Sequence, residues 1–201
     1  MMTSLVYLKE SQTGEMVEAT LYDEVLQEHL DMWNATWRPI MEDLRQSRSP
    51  LERPEDSHWN WPKKVERARS LLAYQSFALV CRDQLQGLLL VRNTASAKLE
   101  EQFGKPIVYV ELVATAPWNR KQIQSPPAYI GVGRIFMLAS IELSRELGFC
   151  GRIGLHALSE AELFYERCGF TRMGNDSSHQ NLCYFEGTEE QAEAFRHNQE
   201  N

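Results

Sequence analysis

The stretch YIGVGRIFMLA at residues 129–139 decides the fold, because two glycines stand directly before a helical pattern. Apolar residues recur at helical spacing from Val132 to Leu147, and Gly148 ends the predicted helix. Upstream, the run IVYVELVAT at 107–115 is β-rich and predicts a strand. Glycine lets the backbone come close to a ligand, and the free N–H groups of a helix N-terminus favour a pyrophosphate. The pattern by itself leaves two interpretations open, a phosphate cradle and an ordinary turn.

The sequence on both sides of this stretch predicts alternating strands and helices. The predicted strands are residues 4–8, 74–81, 87–91, 152–157, 170–173 and 182–186. The predicted helices begin at Tyr22, run from Pro62 to about Leu72 and from Glu160 to Cys168, and include a short, exposed, fraying helix from Thr188. Pro39 lies inside the first helix, where its ring and its missing N–H predict a kink or a break. This order predicts one mixed α/β domain over residues 1–201.

Composition and charge restrict the kinds of partner. The 201 residues carry a net charge of −7, which disfavours a nucleic-acid partner because phosphate neutralisation needs a basic surface. The sequence contains no run of about 18 apolar residues, so we expect no membrane span, and the pattern at the N-terminus is not that of a signal peptide. The four dispersed cysteines indicate buried thiols in a reducing cytoplasm. The His, Cys and carboxylate positions lack metal-ligand spacing, so we expect no metal cofactor.

Three segments carry a resemblance to a known family: VELVATAP (110–117), YIGVGRIFMLA (129–139) and AELFYERCGF (161–170). In this order they resemble the core of the GNAT superfamily of acetyl-CoA-dependent N-acyltransferases, over residues 107–173. The resemblance implies a mixed central β-sheet flanked by helices, which splays open between its fourth and fifth strands to hold acetyl-CoA. It also implies transfer of an acetyl group to the amine of a small molecule or peptide. Phe136 replaces the third glycine of a dinucleotide fingerprint, which disfavours a Rossmann domain.

The resemblance further implies which residues bind acetyl-CoA. Backbone groups of Val113, Ala114 and Thr115 would hold the pantetheine arm. The pyrophosphate cradle would consist of Tyr129, Ile130, Gly131, Val132, Gly133 and Arg134. Two features depart from the family pattern: Ala128 replaces the usual Gln or Arg, and the loop Trp118–Pro127 is longer than usual. The side-chain contribution of the first position is therefore missing from a cradle that is mostly backbone.

Two residues are candidate catalytic groups. Glu111 is the one charge in an apolar strand, and it lies where many family members have a carboxylate. It could be a general base, a residue that positions the substrate, or the partner of a structural charge. Tyr165 occupies the place of a family general acid that protonates the departing thiolate. The alternative for Tyr165 is a core aromatic with its hydroxyl hydrogen-bonded.

The residues on the acceptor side leave more alternatives open. His58, Trp59 and Trp61 form an aromatic cluster that is either a wall for the acceptor or simple loop packing. His156 ends a strand that borders the expected cleft, where it is a structural histidine, a proton relay or a substrate contact. Two other functions stay open for the chain. One is a non-catalytic acyl-CoA sensor, and the other is an interaction protein, with a homodimer formed through the tryptophan-rich first helix.

Overall fold

The computed structural model describes residues 2–197. Its strands are β1 (Thr3–Glu10), β2 (Met16–Tyr22), β3 (Tyr74–Cys81), β4 (Gln84–Ser96), β5 (Pro106–Thr115), β6 (Tyr129–Ile130), β7 (Ile153–Ala157), β8 (Thr171–Asp176) and β9 (Leu182–Gly187). Its α-helices are α1 (Gln27–Met32), α2 (Arg38–Ser47), α3 (Trp61–Arg69), α4 (Val132–Glu146), α5 (Glu162–Arg167) and α6 (Glu189–His197). A π-helical turn (Trp33–Trp37) separates α1 from α2, and three short 3-10 turns cover Glu100–Gln102, Pro117–Asn119 and Ser159–Ala161.

The strands form a mixed sheet in the order β6-β1-β2-β3-β4-β5-β7-β9-β8. β5 and β7 run parallel, whereas β1 pairs antiparallel with β2 and β6, and β9 pairs antiparallel with β7 and β8. An α-helix, α4, lies in the chain between the two parallel strands, as a parallel connection requires. The predicted fold class, a mixed sheet flanked by helices, is confirmed.

The sheet opens between β5 and β7, the strands predicted as the fourth and fifth. Their parallel register ends at Val110 opposite Leu155. β5 continues to Thr115, and β7 continues to Ala157, which pairs instead with Cys183 of β9. The pairing of β5 with β7 therefore ends before either strand ends, as the predicted splay requires.

The N-terminal prediction was wrong in two places. Met16–Tyr22 forms strand β2, which the pattern did not predict, and the first helix begins at Gln27 rather than at Tyr22. Backbone pairing on both sides, with β1 and with β3, fixes the strand. Tyr22 stands four residues before Leu26, and this spacing imitates a helical turn.

The predicted break near Pro39 is the π-helical turn Trp33–Trp37, which ends immediately before α2. Pro39 is the second residue of α2, and the chain is helical without a gap from Gln27 to Ser47, so the irregularity expected of a residue without an N–H takes the form of the π-helical turn before it. Trp37 is 2% exposed, and its indole N–H donates to the Leu85 carbonyl oxygen at 3.1 Å. The π-helical turn therefore carries a core aromatic residue whose one polar atom is hydrogen-bonded.

The chain divides into two compact units. The first comprises Met1–Leu90 and Val113–Ile135, and the second comprises Val91–Leu112 and Phe136–Asn201. Strands β4 and β5 and helix α4 contribute residues to both units. The expectation of a single domain over residues 1–201 stays a prediction.

In the second unit, β7 and β9 separate apolar from polar side chains. Strand alternation puts Leu155 on one face and both Gly154 and His156 on the other. The register places Phe185 opposite Leu155 and Tyr184 opposite His156. One face is therefore apolar core, and the opposite face presents polar groups.

The C-terminal segment is more firmly packed than the sequence predicted. A helix forms from Glu189 to His197, but Ala192 and Phe195 are buried, and the Phe195 ring lies 5.7 Å from the Phe170 ring. The expected exposed helix is thus a packed one, and residues 198–201 of the predicted tail lie outside the described residues. No helix among residues 2–197 is both long and apolar enough to cross a membrane.

Candidate functional site

The predicted phosphate cradle lies in the first unit, where β6 leads into α4. Tyr129 and Ile130 pair with the end of β1, and α4 begins at Val132. Gly131 joins them with a φ of +113°, a conformation that side chains rarely adopt. A Cβ at Gly131 would meet Leu8 at an ordinary 3.6 Å, so this position needs glycine for its backbone angle rather than for space. The first N–H groups of α4 then follow directly, as an anion site requires.

The loop Trp118–Pro127 is anchored at its first three residues. The side chains of Trp118 and Asn119 both donate to the buried Gln86 side-chain oxygen at 2.9 Å. Arg120 forms two 2.7 Å hydrogen bonds with the carboxylate of Asp56. Asn119 also accepts the Tyr129 backbone N–H at 2.9 Å, which ties the loop to the start of the candidate cradle.

The strand segment predicted to hold the pantetheine arm also lies in the first unit. Ala114 is buried, whereas Val113 and Thr115 are half-buried. The Thr115 carbonyl oxygen already accepts the Arg120 Nε–H at 2.9 Å. Arg120 therefore uses one of the two lone pairs of a backbone acceptor that the resemblance assigns to the cofactor.

A chain of hydrogen bonds crosses the polar face of the second unit. The Tyr109 hydroxyl lies 2.5 Å from Nδ1 of His156, and Nε2 of His156 lies 3.1 Å from Asp176 Oδ2. His179 stacks on His156 with ring centroids 4.0 Å apart, and its Nδ1 lies 3.2 Å from the same carboxylate oxygen. Lys98 Nζ also reaches that oxygen, at 2.9 Å. Asp176 is thus the centre of a compact charged cluster.

The charge states along this chain follow from its surroundings. Hydrogen bonds from Ser178 and then Lys98 hold the pKa of Asp176 well below its usual value, so Asp176 is an ionised acceptor. Burial lowers the pKa of His156, although the Asp176 hydrogen bond opposes this effect. Burial raises the pKa of Tyr109 to about 12. At neutral pH the chain therefore runs from a protonated phenol through a neutral imidazole to a carboxylate.

A second buried carboxylate, Glu186, fixes the segment that carries Lys98. Glu186 is fully buried and accepts hydrogen bonds from the backbone N–H groups of Lys98 and Leu99 at 2.7 and 3.0 Å. It also accepts from Gln102 Nε2 and from the Tyr184 hydroxyl, both at 2.7 Å. Four donors satisfy this carboxylate, which explains how a charged group tolerates complete burial.

Comparison with solved structures identifies the fold. FeeM, an N-acyl amino acid synthase from uncultured soil microbes, is similar with a TM-score of 0.57 and 13% identity, over 92% of this chain and 95% of that one. The PaiA N-acetyltransferase from Thermoplasma acidophilum, solved in complex with coenzyme A, gives 0.55 and 12%, over 85% and 98%. The GNAT domain of PAT from S. lividans gives 0.54 and 12%, over 92% and 96%. The chain has the GNAT fold. At the level of sequence, neither a protein-family profile nor a curated protein matches it.

On this GNAT fold, Glu111 forms an ion pair. Its Oε2 accepts the Arg92 Nε–H at 3.0 Å, and the two side chains are 36% and 30% exposed. The Arg92 guanidinium also lies over the Tyr109 ring at 4.6 Å. The sequence left three roles open for Glu111. For the role of structural partner, the structure supplies the opposite charge, Arg92. The roles of base and positioning residue stay predictions.

Tyr165 lies in α5 and is 4% exposed. Its ring centroid is 5.0 Å from that of Phe164 and 5.7 Å from that of Phe185, which is on the apolar face of the GNAT sheet. Burial raises the pKa of its phenol well above the ordinary value, so the hydroxyl keeps its proton at neutral pH. The packing is that of a core aromatic, and the role of general acid stays a prediction.

The aromatic cluster before α3 does not form one surface. Trp61 is 1% exposed and belongs to the core, whereas His58 is exposed and Trp59 is half-buried. The Trp59 and Trp61 rings meet edge to face at 6.2 Å, and Lys64 lies over Trp59 at 5.2 Å. An acceptor wall therefore stays a prediction for His58 and Trp59 alone.

The ring nitrogens of His156 and His179 and an oxygen of Asp176 lie within 4.8 Å of one another, close enough to be considered for a metal ion. The two imidazole planes are stacked at an angle of 8°, so their in-plane lone pairs point along separate planes. Asp176 already forms an ion pair with Lys98. This arrangement suits a hydrogen-bonded network better than chelation, which needs convergent lone pairs.

Sequence reasoning missed most of this network. Tyr109 and Asp176 carried no signal beyond position, since Tyr109 stands two residues before Glu111 in a strand and Asp176 ends another. His156 was singled out, and the structure places it between them. The strand period does predict that Tyr109, Glu111 and Val113 share a face, but it does not indicate the contact between Tyr109 and His156. The pairing of β7 with β9 and of β9 with β8, which brings in Asp176, is visible only in the fold.

Proposed function

We propose that the protein is an N-acyltransferase that transfers the acetyl group of acetyl-CoA to a primary amine by direct attack. The observation that carries the proposal is the turn at Gly131, whose φ of +113° turns β6 directly into the N-terminus of α4. Free N–H groups and the helix dipole at such a terminus favour a pyrophosphate. The GNAT fold supports the same assignment, since the neighbour PaiA is an N-acetyltransferase solved with coenzyme A.

In this proposal the amine nitrogen attacks the thioester carbonyl, and the carbon–sulfur bond breaks. Backbone groups of Val113 and Ala114 hold the pantetheine arm and polarise the carbonyl. Glu111 attracts the cationic amine or removes its proton, and Tyr165 protonates the departing sulfur. Acceptors with a primary amino group fit this chemistry. The name of the neighbour FeeM, an N-acyl amino acid synthase, favours the amino group of an amino acid.

A second candidate function is a non-catalytic acyl-CoA sensor, and the Arg92–Glu111 ion pair is the observation that favours it. The two functions differ in one measurement, the release of free thiol from acetyl-CoA in the presence of a panel of primary amines. We expect thiol release that depends on one class of amine and that matches the amount of acetylated amine found by mass spectrometry. Binding of acetyl-CoA without thiol release for any amine would identify the sensor instead.

A further inference from the structure

We propose that Tyr109, His156 and Asp176 form a relay that takes the proton from the attacking amine. The relay deepens the proposed N-acyltransferase function and depends on it. It gives the role of base to Tyr109 backed by His156, and it leaves Glu111 to attract the amine. All three relay residues, together with Glu111, belong to the second unit.

The hydrogen-bond geometry fixes where every proton of the relay lies. The ionised Asp176 carboxylate can only accept, so His156 Nε2 must carry the hydrogen that spans the 3.1 Å between them. Burial keeps His156 neutral at pH 7, and its Nδ1 therefore holds a lone pair. The Tyr109 hydroxyl, 2.5 Å away, must then donate to Nδ1. The chain is thus poised to move a proton in one direction, from Tyr109 towards His156.

Hydrogen bonding determines the route by which a proton reaches His156. The His156 side chain is 4% exposed and Tyr109 is 8% exposed, so neither group lies open at the surface. One ring nitrogen faces Asp176, which has no proton to give, and the other faces the Tyr109 hydroxyl. Tyr109 shares a face of β5 with Glu111, which is 36% exposed and can attract an ammonium group. Tyr109 is therefore the catalytic group, and His156 and Asp176 act through it.

The proton balance of the step is complete. The ammonium group of the acceptor gives a proton to the Tyr109 oxygen, while the Tyr109 proton moves to Nδ1 of His156. The neutral amine then forms its carbon–nitrogen bond, the carbon–sulfur bond breaks, and the thiolate takes the proton of Tyr165. The second proton of the nitrogen leaves as the amide forms and passes to solvent, from which Tyr165 regains its own proton. The resulting imidazolium is stabilised by Asp176, as a carboxylate stabilises the imidazolium of a catalytic triad. Acylation of an ammonium ion releases one proton overall, and His156 returns that proton to solvent after the product leaves.

Charged and titratable groups face the relay from every neighbouring strand. They are Arg92 from β4, Lys98 from the segment after β4, Glu111 from β5, Asp176 from β8, His179 from the turn after β8, and Tyr184 and Glu186 from β9. Lys98 and His179 lower the pKa of His156, and Asp176 raises it. These opposing effects, with burial, keep the imidazole free to accept a proton at neutral pH.

The test compares two tyrosines that both border His156. Tyr109→Phe removes the hydroxyl that bonds to Nδ1, whereas the control Tyr184→Phe removes a hydroxyl that bonds to Glu186. The Tyr184 ring lies 4.9 Å from the His156 ring, so both changes occur beside the same imidazole. Each variant, together with His156→Gln, is assayed for folding by thermal melting, for acetyl-CoA affinity by calorimetry, and for thiol release across pH with one accepted amine.

We expect Tyr109→Phe and His156→Gln each to lower kcat/KM by roughly 10²-fold, and the double variant to lose no more than either single one. Acetyl-CoA affinity should stay unchanged in both. The wild-type kcat/KM should be level between the pKa of His156, below about 6.5, and the pKa of the amine. In the two variants it should rise about tenfold per pH unit with the free amine fraction.

Three results would overturn the relay. The first is a folded Tyr109→Phe protein with wild-type rate and pH profile, and the second is an equal loss in Tyr184→Phe; both leave the N-acyltransferase function standing. The third is a wild-type protein that binds acetyl-CoA and acylates no amine, which removes the proposed function and the relay together. A rate loss confined to Tyr109→Phe and His156→Gln, with the changed pH profile, supports the relay.

Discussion

Removal of the Asp56 carboxylate should destabilise the protein strongly. Asp56 is 6% exposed, the Arg120 side chain is 12% exposed, and two 2.7 Å hydrogen bonds join them. Asp56→Ala leaves the guanidinium charge buried with one remaining bond, to the Thr115 carbonyl. Breaking a buried ion pair on one side costs about 3–5 kcal/mol. For a chain of this length, each kcal/mol lowers Tm by about 2–4 °C, so Tm should fall by roughly 6–20 °C.

The matched control is an ion pair on the surface. Arg38 and Glu42 are 51% and 43% exposed and one helical turn apart in α2. Water screens such a pair, so Glu42→Ala should cost at most about 0.5 kcal/mol. Both variants are compared by calorimetric melting at the same pH and salt concentration. Equal shifts in Tm for Asp56→Ala and Glu42→Ala would refute the claim that the buried pair anchors the loop.

The coupling between the two buried charges provides a second readout. If Asp56 and Arg120 act as a pair, the double variant Asp56→Ala/Arg120→Ala should lose less stability than the sum of the single variants, because it buries no unpaired charge. Simple additivity of the two losses would mean that each side chain is stabilised by other contacts.

Three further predictions concern individual titratable side chains. Glu111→Gln should raise the acceptor KM with little change in kcat, because the relay assigns Glu111 the attraction of the amine; a wild-type KM would remove Glu111 from the site. Tyr165→Phe should lower the rate of thiol release by roughly 10²-fold with acetyl-CoA affinity preserved, and an unchanged rate at every pH would show that water supplies the proton. Stability should fall as pH drops below about 6.5, because burial lowers the folded-state pKa of His29 and of His156, so the unfolded chain binds more protons there; each contributes at most about 1.4 kcal/mol per pH unit. Urea midpoints at pH 7.5 and 5.5 check this, and His29→Gln should reduce the difference.

The C-terminal half of the fold could be predicted because its signals are local. Gly131 and Gly148 bracket α4, and Gly169 follows α5, so positive-φ glycines mark the ends of the elements. Strand β3 was predicted with its observed ends, Tyr74 and Cys81. The adjacent turn uses Arg82 and Asp83 with positive φ instead of glycine, and this hid the true start of β4 at Gln84.

The N-terminal hairpin and the polar network could not be predicted, for a common reason. Strand β2 is fixed by pairing with β1 and β3, and Glu18 and Thr20 on its alternate positions gave too little apolar signal. The relay joins Tyr109, His156 and Asp176 across three strands, and its contacts depend on registers that no local pattern sets. Sequence could therefore indicate the candidate cofactor loop, which is continuous, but only one member of the network.

Binding of acetyl-CoA at the N-terminus of α4 is the most direct test of the account. Gly133 lies in the first turn of α4, where an Asp is compatible with the helix dipole but adds a negative charge beside the proposed pyrophosphate. The matched control is Gly133→Ala, which keeps the site neutral. Calorimetry should show acetyl-CoA binding to the wild-type protein and to Gly133→Ala, and at least a tenfold weaker affinity for Gly133→Asp with melting temperature preserved. Equal affinity of all three proteins, or no binding by the wild type, would contradict the assignment of this loop as the cofactor cradle.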